Sequence, residues 1–312
     1  MVGLIKYFFL ALFVFANILL HAQQDPMFSN YMFNTLAVNP GYAGSRDALT
    51  VVALHRSQWI GLKGAPTTQT LTAHTPFGTE KTAIGLSVIN DKIGPVTSTS
   101  INADFAFRVK INDKSKLAFG LKGGLNIMSA SLNQVHLDQP GDASFVNNIQ
   151  SKLLPNFGFG IYYSRDKFYA GISTPKLLEI DYRTNNIKGT TDIASDKRHH
   201  YIITGGVFRI SNEVIFKPTT LIKITNGAPM QADMTLNFII RDKFSAGLMY
   251  RTGDALGALI GLKISDQFQL GYSFDWSYGF SELGFNSGSH EIMLCYDLIK
   301  SYPGGRPMPR YF

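Results

Sequence analysis

From residue 48 to residue 300 the chain repeats one pattern, with apolar side chains at alternate positions and polar or small ones between them. Phe268, Leu270, Tyr272, Phe274 and Trp276 alternate with Gln267, Gln269, Gly271, Ser273 and Asp275. Ile101, Ala103, Phe105, Phe107 and Val109 alternate with a set that includes Asn102, Asp104, Arg108 and Lys110. Ala232, Met234, Leu236, Phe238 and Ile240 stand against Gln231, Asp233, Asn237 and Arg241, and Leu117, Phe119, Leu121, Leu125 and Ile127 against Lys116, Gly120, Lys122, Gly124 and Asn126. The rhythm returns in Leu256 to Ile264 and in Ile292 to Leu298. Successive strand side chains point to opposite faces of a sheet, so each run predicts a strand with one apolar face. About 14 such segments of roughly ten residues recur, the length a tilted membrane-spanning strand requires.

The connections alternate too. Charged or polar turns stand at Phe77 to Glu80, Asn112 to Ser115, Ser164 to Lys167, Ser211 to Glu213, Arg241 to Lys243 and Ser265 to Gln267. Between them fall longer or irregular segments: Trp59 to Pro66, Asn90 to Thr97, Asn133 to Lys152, Lys176 to His200, Asn226 to Pro229 and Tyr278 to Ser289. Short turns on one side and longer loops on the other are the arrangement of outer-membrane barrels, with the short turns periplasmic. In hydrocarbon every backbone N–H and C=O must be satisfied internally, and a sheet achieves that only by closing on itself. The expected fold is therefore all-β, a transmembrane antiparallel β-barrel over 48–300. An even strand number places both termini in the periplasm.

The ends do not follow the strand rhythm. Lys6, the apolar run from Tyr7 to Leu20 and the sequence Leu20-His21-Ala22 read as a secretory signal peptide, 1–22, cleaved after Ala22. No Cys follows the cut, which excludes a lipoprotein. Residues 23–47 are rich in Met, Phe, Tyr, Asn and Pro, too apolar for a free linker. They are expected either to plug the lumen or to form a periplasmic segment docked on a partner. The Pro- and Gly-rich tail, 301–312, cannot extend a strand far and is expected in the periplasm, so the terminal Phe312 is no insertion signal.

Composition sharpens the class. Only 16% of residues are charged, while Gly numbers 29 and aromatics reach 12%; soluble domains carry roughly 25% charge. No long apolar run follows the leader, which excludes an α-helical membrane protein. Cys295 is the only cysteine, so no intramolecular disulfide forms. The net charge of +7 fits basic residues beside anionic lipid better than a nucleic-acid partner in an exported protein. Candidate chemistry is sparse. His55, His74, His136, His199, His200 and His290 are scattered without zinc-ligand spacing, and His199 and His200, adjacent on a strand, point to opposite faces. Asp138 to Ser144 lacks the ligand series of a calcium loop, and Gly120 to Gly124 lacks the helix of a phosphate cradle and reads as close packing in the wall. No nucleophile elbow occurs. No cofactor, metal or catalytic residue is expected. Asp104, Arg108, Lys110, Lys122, Asp233, Arg241, Lys263, Asp275 and Asp297 fall on the inward face; their mixed signs suit pairing across a packed lumen better than a selective pore.

Three ordered blocks resemble one family. The first is Gln24-Asp25-Pro26-Met27-Phe28-Ser29-Asn30-Tyr31-Met32-Phe33-Asn34 with Val38-Asn39-Pro40-Gly41-Tyr42-Ala43-Gly44-Ser45. The second is Arg56-Ser57-Gln58-Trp59 with Gly64-Ala65-Pro66-Thr67-Thr68-Gln69-Thr70 and Ala73-His74-Thr75-Pro76. The third runs from Gly85 to Pro95. Together they resemble the PorP/SprF family of outer-membrane proteins of the type IX secretion system. The resemblance implies a non-catalytic component that binds, helps export or anchors a large surface adhesin through its C-terminal secretion domain, in gliding and related bacteria. The implied partners are that adhesin, other type IX components and outer-membrane lipid. Trp59, Gly64, Ala65, Pro66, Thr67 and Gln69, in or beside the first outer loop, and Phe28, Tyr31 and Phe33 are the candidate partner contacts. The alternative expectation is a transport channel for small hydrophobic compounds, with Met27 to Phe33 as its hatch.

Overall fold

The computed structural model describes residues 25–78, 80–131, 149–181, 195–278 and 287–298. Fourteen strands close into one antiparallel barrel. They are β1 (Leu49–Ser57), β2 (Thr67–Pro76), β3 (Thr82–Ile93), β4 (Val96–Asn112), β5 (Ser115–Ala130), β6 (Ile149–Arg165), β7 (Phe168–Thr174), β8 (His199–Gly206), β9 (Val214–Thr225), β10 (Gln231–Ile240), β11 (Phe244–Arg251), β12 (Ala255–Lys263), β13 (Phe268–Ser277) and β14 (Ser289–Leu298). Each pairs with its neighbours in sequence, and β1 pairs with β14, from Leu49 opposite Leu298 to Ser57 opposite His290, to complete the circle. A two-residue ladder of Ile180–Asp181 with Ser195–Asp196 lies outside this ring, while Phe208–Arg209 continues β8 along β9 within it. The described strands run from Leu49 to Leu298.

The alternation dictates the two surfaces. Leu236, Leu248, Ile260, Leu270, Leu294 and Leu121 stand exposed on the outer wall, which is the lipid face of a barrel. Their neighbours in sequence turn inward and are buried or half-buried. No helix among the described residues is long and apolar enough to cross a membrane; the strands provide the span.

The short turns behave as the sequence implies. Arg241 and Asp242 both have positive φ, 53° and 54°, the backbone of a tight hairpin whose twist matches its flanking strands. The opposite end is less uniform than expected. Asn90 to Thr97 is no loop: β3 and β4 remain paired to Ile93 and Val96, and the hairpin turns through Gly94 (φ 55°) and Pro95. Glycine there admits a two-residue connection where irregular chain was expected. The expected loops at Asn133 to Lys152, Lys176 to His200 and Tyr278 to Ser289 lie largely outside the described residues, as do the leader and the tail.

The interior is filled by the chain's own N-terminal segment. It carries one helical turn, α1 (Thr35–Val38), followed by a 3-10 turn at Pro40–Tyr42. Phe28, Tyr31, Met32, Leu36 and Tyr42 join inward wall residues, including Tyr162, Tyr169, Ile203 and Met293, in a single core. The described part of this segment, from Asp25, packs in the lumen.

Candidate partner interface and the plugged lumen

The segment traverses the lumen from mouth to mouth. At the long-loop end Asp25 pairs with Lys176 at 2.7 Å and lies 3.3 Å from His199, the first residue of β8. Burial opposes ionisation of Asp25, but Lys176 and His199 outweigh it and hold the carboxyl at about 2. Next, the backbone N–H groups of Ser29 and Asn30 donate to Glu291 at 2.9 and 2.7 Å. The Ser29 hydroxyl donates to Asp275 at 2.5 Å and accepts from Arg56 at 2.7 Å. Arg56 in turn pairs with Asp275 at 2.7 Å and Glu291 at 3.3 Å. Beside them Arg251 grips Asp233 through Nε and Nη2, at 2.8 to 3.1 Å. These five charged groups are all buried; stripping a charge of water is tolerable only with such geometry.

Half-way down, Lys122 pairs with Asp104 at 2.9 Å and donates to the Leu36 carbonyl. The Asn39-Pro40-Gly41 turn then rests on a patch of wall without side chains. Gly120 of β5 sits opposite Gly160 of β6. A Cβ at Gly120 would land on the Gly41 nitrogen, and one at Gly160 on the Asn39 carboxamide oxygen. The Asn39 amide uses this proximity to donate to the Ile161 and Ile172 carbonyls at 3.2 and 3.4 Å. At the short-turn end Arg46 pairs with Asp297 at 2.5 Å, and Asp47 receives Arg108 at 2.7 Å and Lys116 at 3.1 Å. Burial alone would raise the Asp47 carboxyl, but those two cations bring it below the ordinary carboxylate range.

The interior pairing expected from mixed charges is therefore present for Asp104, Arg108, Lys122, Asp233, Asp275 and Asp297. It fails for Lys110, Arg241 and Lys263. Lys110 and Lys263 pair locally with Asp113 and Asp266, and Arg241 with Glu213 in the adjacent turn. All three sit at the short-turn rim, where period-two counting no longer tells inside from outside. Arg56, Arg251 and Glu291, central to the network, were missed because each lies at a strand end beside a loop. The first-block polar residues Ser29, Asn30 and Asn39 were the available signal.

The loop between β1 and β2 forms the opposite rim. Trp59 adopts φ 45°, a conformation costly for a bulky residue. Its N–H donates to Ser289 at 3.2 Å. Ile60 exchanges backbone hydrogen bonds with Ser287 and Gly288 of the last loop, and Gly64 accepts from Gly94 of the β3–β4 hairpin at 2.9 Å. Gly64 itself has φ 80°, which explains glycine there. So braced, the loop holds Ile60 and Leu62 in solvent.

The comparisons with known proteins decide the family. The family model of type IX secretion system membrane protein PorP/SprF matches residues 20–296. The chain belongs to this family. As a PorP/SprF protein with a barrel fold, it is an integral outer-membrane component of type IX secretion. No curated protein matches its sequence. Similar solved structures include the Acinetobacter baumannii outer membrane protein Omp33, at 9% identity and a TM-score of 0.44 over 80% of this chain and 97% of that one. The Ralstonia pickettii toluene transporter TbuX shows 7% identity and a TM-score of 0.45 over 83% and 91%. The CymD monoaromatic hydrocarbon channel shows 10% and 0.46 over 80% and 86%.

The structure separates the candidate contacts of this PorP/SprF chain into three places. Trp59, Gly64, Ala65 and Pro66 form the rim loop, with Thr67 at the foot of β2. Gln69 points outward, opposite His55 and Asn90, and lines a shallow groove of about 400 Å³ on the outer wall with Ala53, Leu71, Ile292 and Leu294. Phe28 and Tyr31 are buried in the lumen, and Phe33 is half-buried against the same core, with the Lys217 ammonium 5.4 Å from its ring centroid. Burial removes Phe28 and Tyr31 from any contact surface; they hold the plug.

Proposed function

We propose that the barrel is a plugged, non-conducting client receptor of the type IX system. In this reading the long-loop rim grips the C-terminal secretion domain of a large surface adhesin and helps export it or hold it at the cell surface. The observation that supports this is the plug itself. Residues from Asp25 to Asp47 are fixed along the lumen by ion pairs at both ends and by hydrogen bonds to the wall between them. The barrel then serves as a rigid frame for its rim loops, and rigid, pre-organised surfaces bind with less ordering cost. Exposed Ile60 and Leu62, on a loop braced from both sides, suit an apolar anchor on the client. Neither catalysis nor a cofactor enters this reading.

The test is mild detergent extraction of the tagged protein from native outer membranes, with and without prior crosslinking. Recovery of an adhesin's secretion domain or of other type IX components supports the proposal and names the client. Recovery of the barrel alone, even after crosslinking, contradicts it and favours a channel for small hydrophobic compounds.

A further inference from the structure

We infer that Asp25, the first described residue, stands at the extracellular mouth of the barrel, so that the plug enters the lumen from the long-loop side, that of the Trp59–Pro66 rim, and not from the periplasm. The contacts of the plug occur in one spatial order. Asp25 is tied to Lys176, just beyond the outer end of β7, and to His199 at the outer end of β8. Ser29 and Asn30 reach Glu291 and Asp275, near the outer ends of β14 and β13. Asn39 lies further in, against Ile161 of β6 and Ile172 of β7. Arg46 meets Asp297 at the inner end of β14, and Asp47 meets Arg108 and Lys116 beside the β4–β5 turn. Two residues later Leu49 opens β1 at that same inner end, opposite Leu298.

On this inference an even strand number does not fix the side on which the plug begins. It counts only the strands, and the plug adds one further crossing through the lumen. Doubling back to the short-turn mouth would need a second path through the interior. Tyr31, Tyr42, Tyr162 and Tyr169, each at most 2% exposed, fill that path. The placing of Asp25 on the client side rests on short turns facing the periplasm, and the experiment reads that orientation separately.

The single native cysteine, Cys295, is buried, so engineered thiols can be read against a low background. Gln24→Cys, Gly227→Cys at the long-loop end and Asp113→Cys in the β4–β5 turn are labelled with a membrane-impermeant maleimide, on intact cells and after lysis. Each variant is first checked for heat-modifiable migration of the folded barrel. An epitope inserted between Gln24 and Asp25, probed with antibody on intact cells, gives a second readout. The expected result is that Gln24→Cys and the epitope react on intact cells together with Gly227→Cys, while Asp113→Cys reacts only after lysis. Reaction of Gln24→Cys and the epitope in step with Asp113→Cys overturns the inference. If Gly227→Cys and Asp113→Cys exchange behaviour, the assumed orientation is wrong and the placing of Asp25 on the client side falls with it.

Discussion

Arg56 of β1 and Glu291 of β14 stand opposite each other across the seam that closes the barrel, and both also hold Ser29 of the plug. One pair of side chains thus joins closure of the wall to occupation of the lumen. Asp275 completes the site from β13. Replacing Arg56 by Met would leave the buried Glu291 without its cation and Asp275 with only Arg251, 4.0 Å away. Breaking a buried pair from one side costs about 3–5 kcal/mol. Arg56→Met is expected to lower the temperature at which the folded barrel unfolds in a heat-modifiability gel. Glu291→Gln, which keeps an acceptor for the Ser29 and Asn30 amides, should lower it less.

The glycine patch makes a steric prediction. Gly120 and Gly160 have no side chains because the Asn39-Pro40-Gly41 turn occupies that space. Gly120→Val forces the turn off the wall, an overpacking that costs about 1–3 kcal/mol or more. The expected outcome is a folded barrel whose plug is cut by protease more readily than in the parent. Gly227→Val, at a glycine with open space around it, is the control for substitution as such, although its positive φ adds local strain there.

The Asp25 anchor predicts a pH dependence. Its carboxyl is held at about 2, below the ordinary value of 3.8. The stabilisation is therefore fully present above the ordinary value and is lost as pH falls toward about 2. Protection of the plug's first residues, read by hydrogen exchange, should be constant from neutral pH down to the ordinary carboxylate range and fall below it. Asp25→Asn should lose that dependence and show weaker protection at neutral pH.

The rim predicts a separation of folding from client binding. Trp59 holds a left-handed backbone that glycine adopts without strain, and for other residues the cost is about 1–2 kcal/mol. Trp59→Gly is expected to fold at least as well as the parent and to display less client at the cell surface. The pair Ile60→Ser and Leu62→Ser should give the same phenotype through loss of exposed apolar area. Normal client display at normal barrel levels in both variants would remove the rim loop from the contact.

Much of this architecture was legible in the chain, and the boundary of legibility has physical causes. Phe105, Leu236 and Leu294 announce the lipid face because a membrane strand must alternate, and the turn at Arg241 announces itself by charge. The inward charges near strand centres, such as Asp104 and Lys122, follow from the same counting. Lys110 and Lys263 did not, since a rim residue is free to lean into water. The lumen path of residues 25–47 left no periodic trace. Its single helical turn and single 3-10 turn are too short for one, and its hold on the wall depends on Asn39 meeting two carbonyls that lie more than a hundred residues away. The partner-contact candidates came from resemblance to the family, and that resemblance does not distinguish a buried Tyr31 from an exposed Ile60. Only the folded barrel does.

The central claim is that this PorP/SprF barrel is a filled frame and not a conduit. Current recording from the purified full-length protein in planar lipid bilayers tests it most directly, with the Gly120→Val variant alongside. The account predicts a silent membrane for the parent over a wide voltage range and discrete current steps when the plug is displaced. Stable, large conductance from the unmodified protein would contradict it.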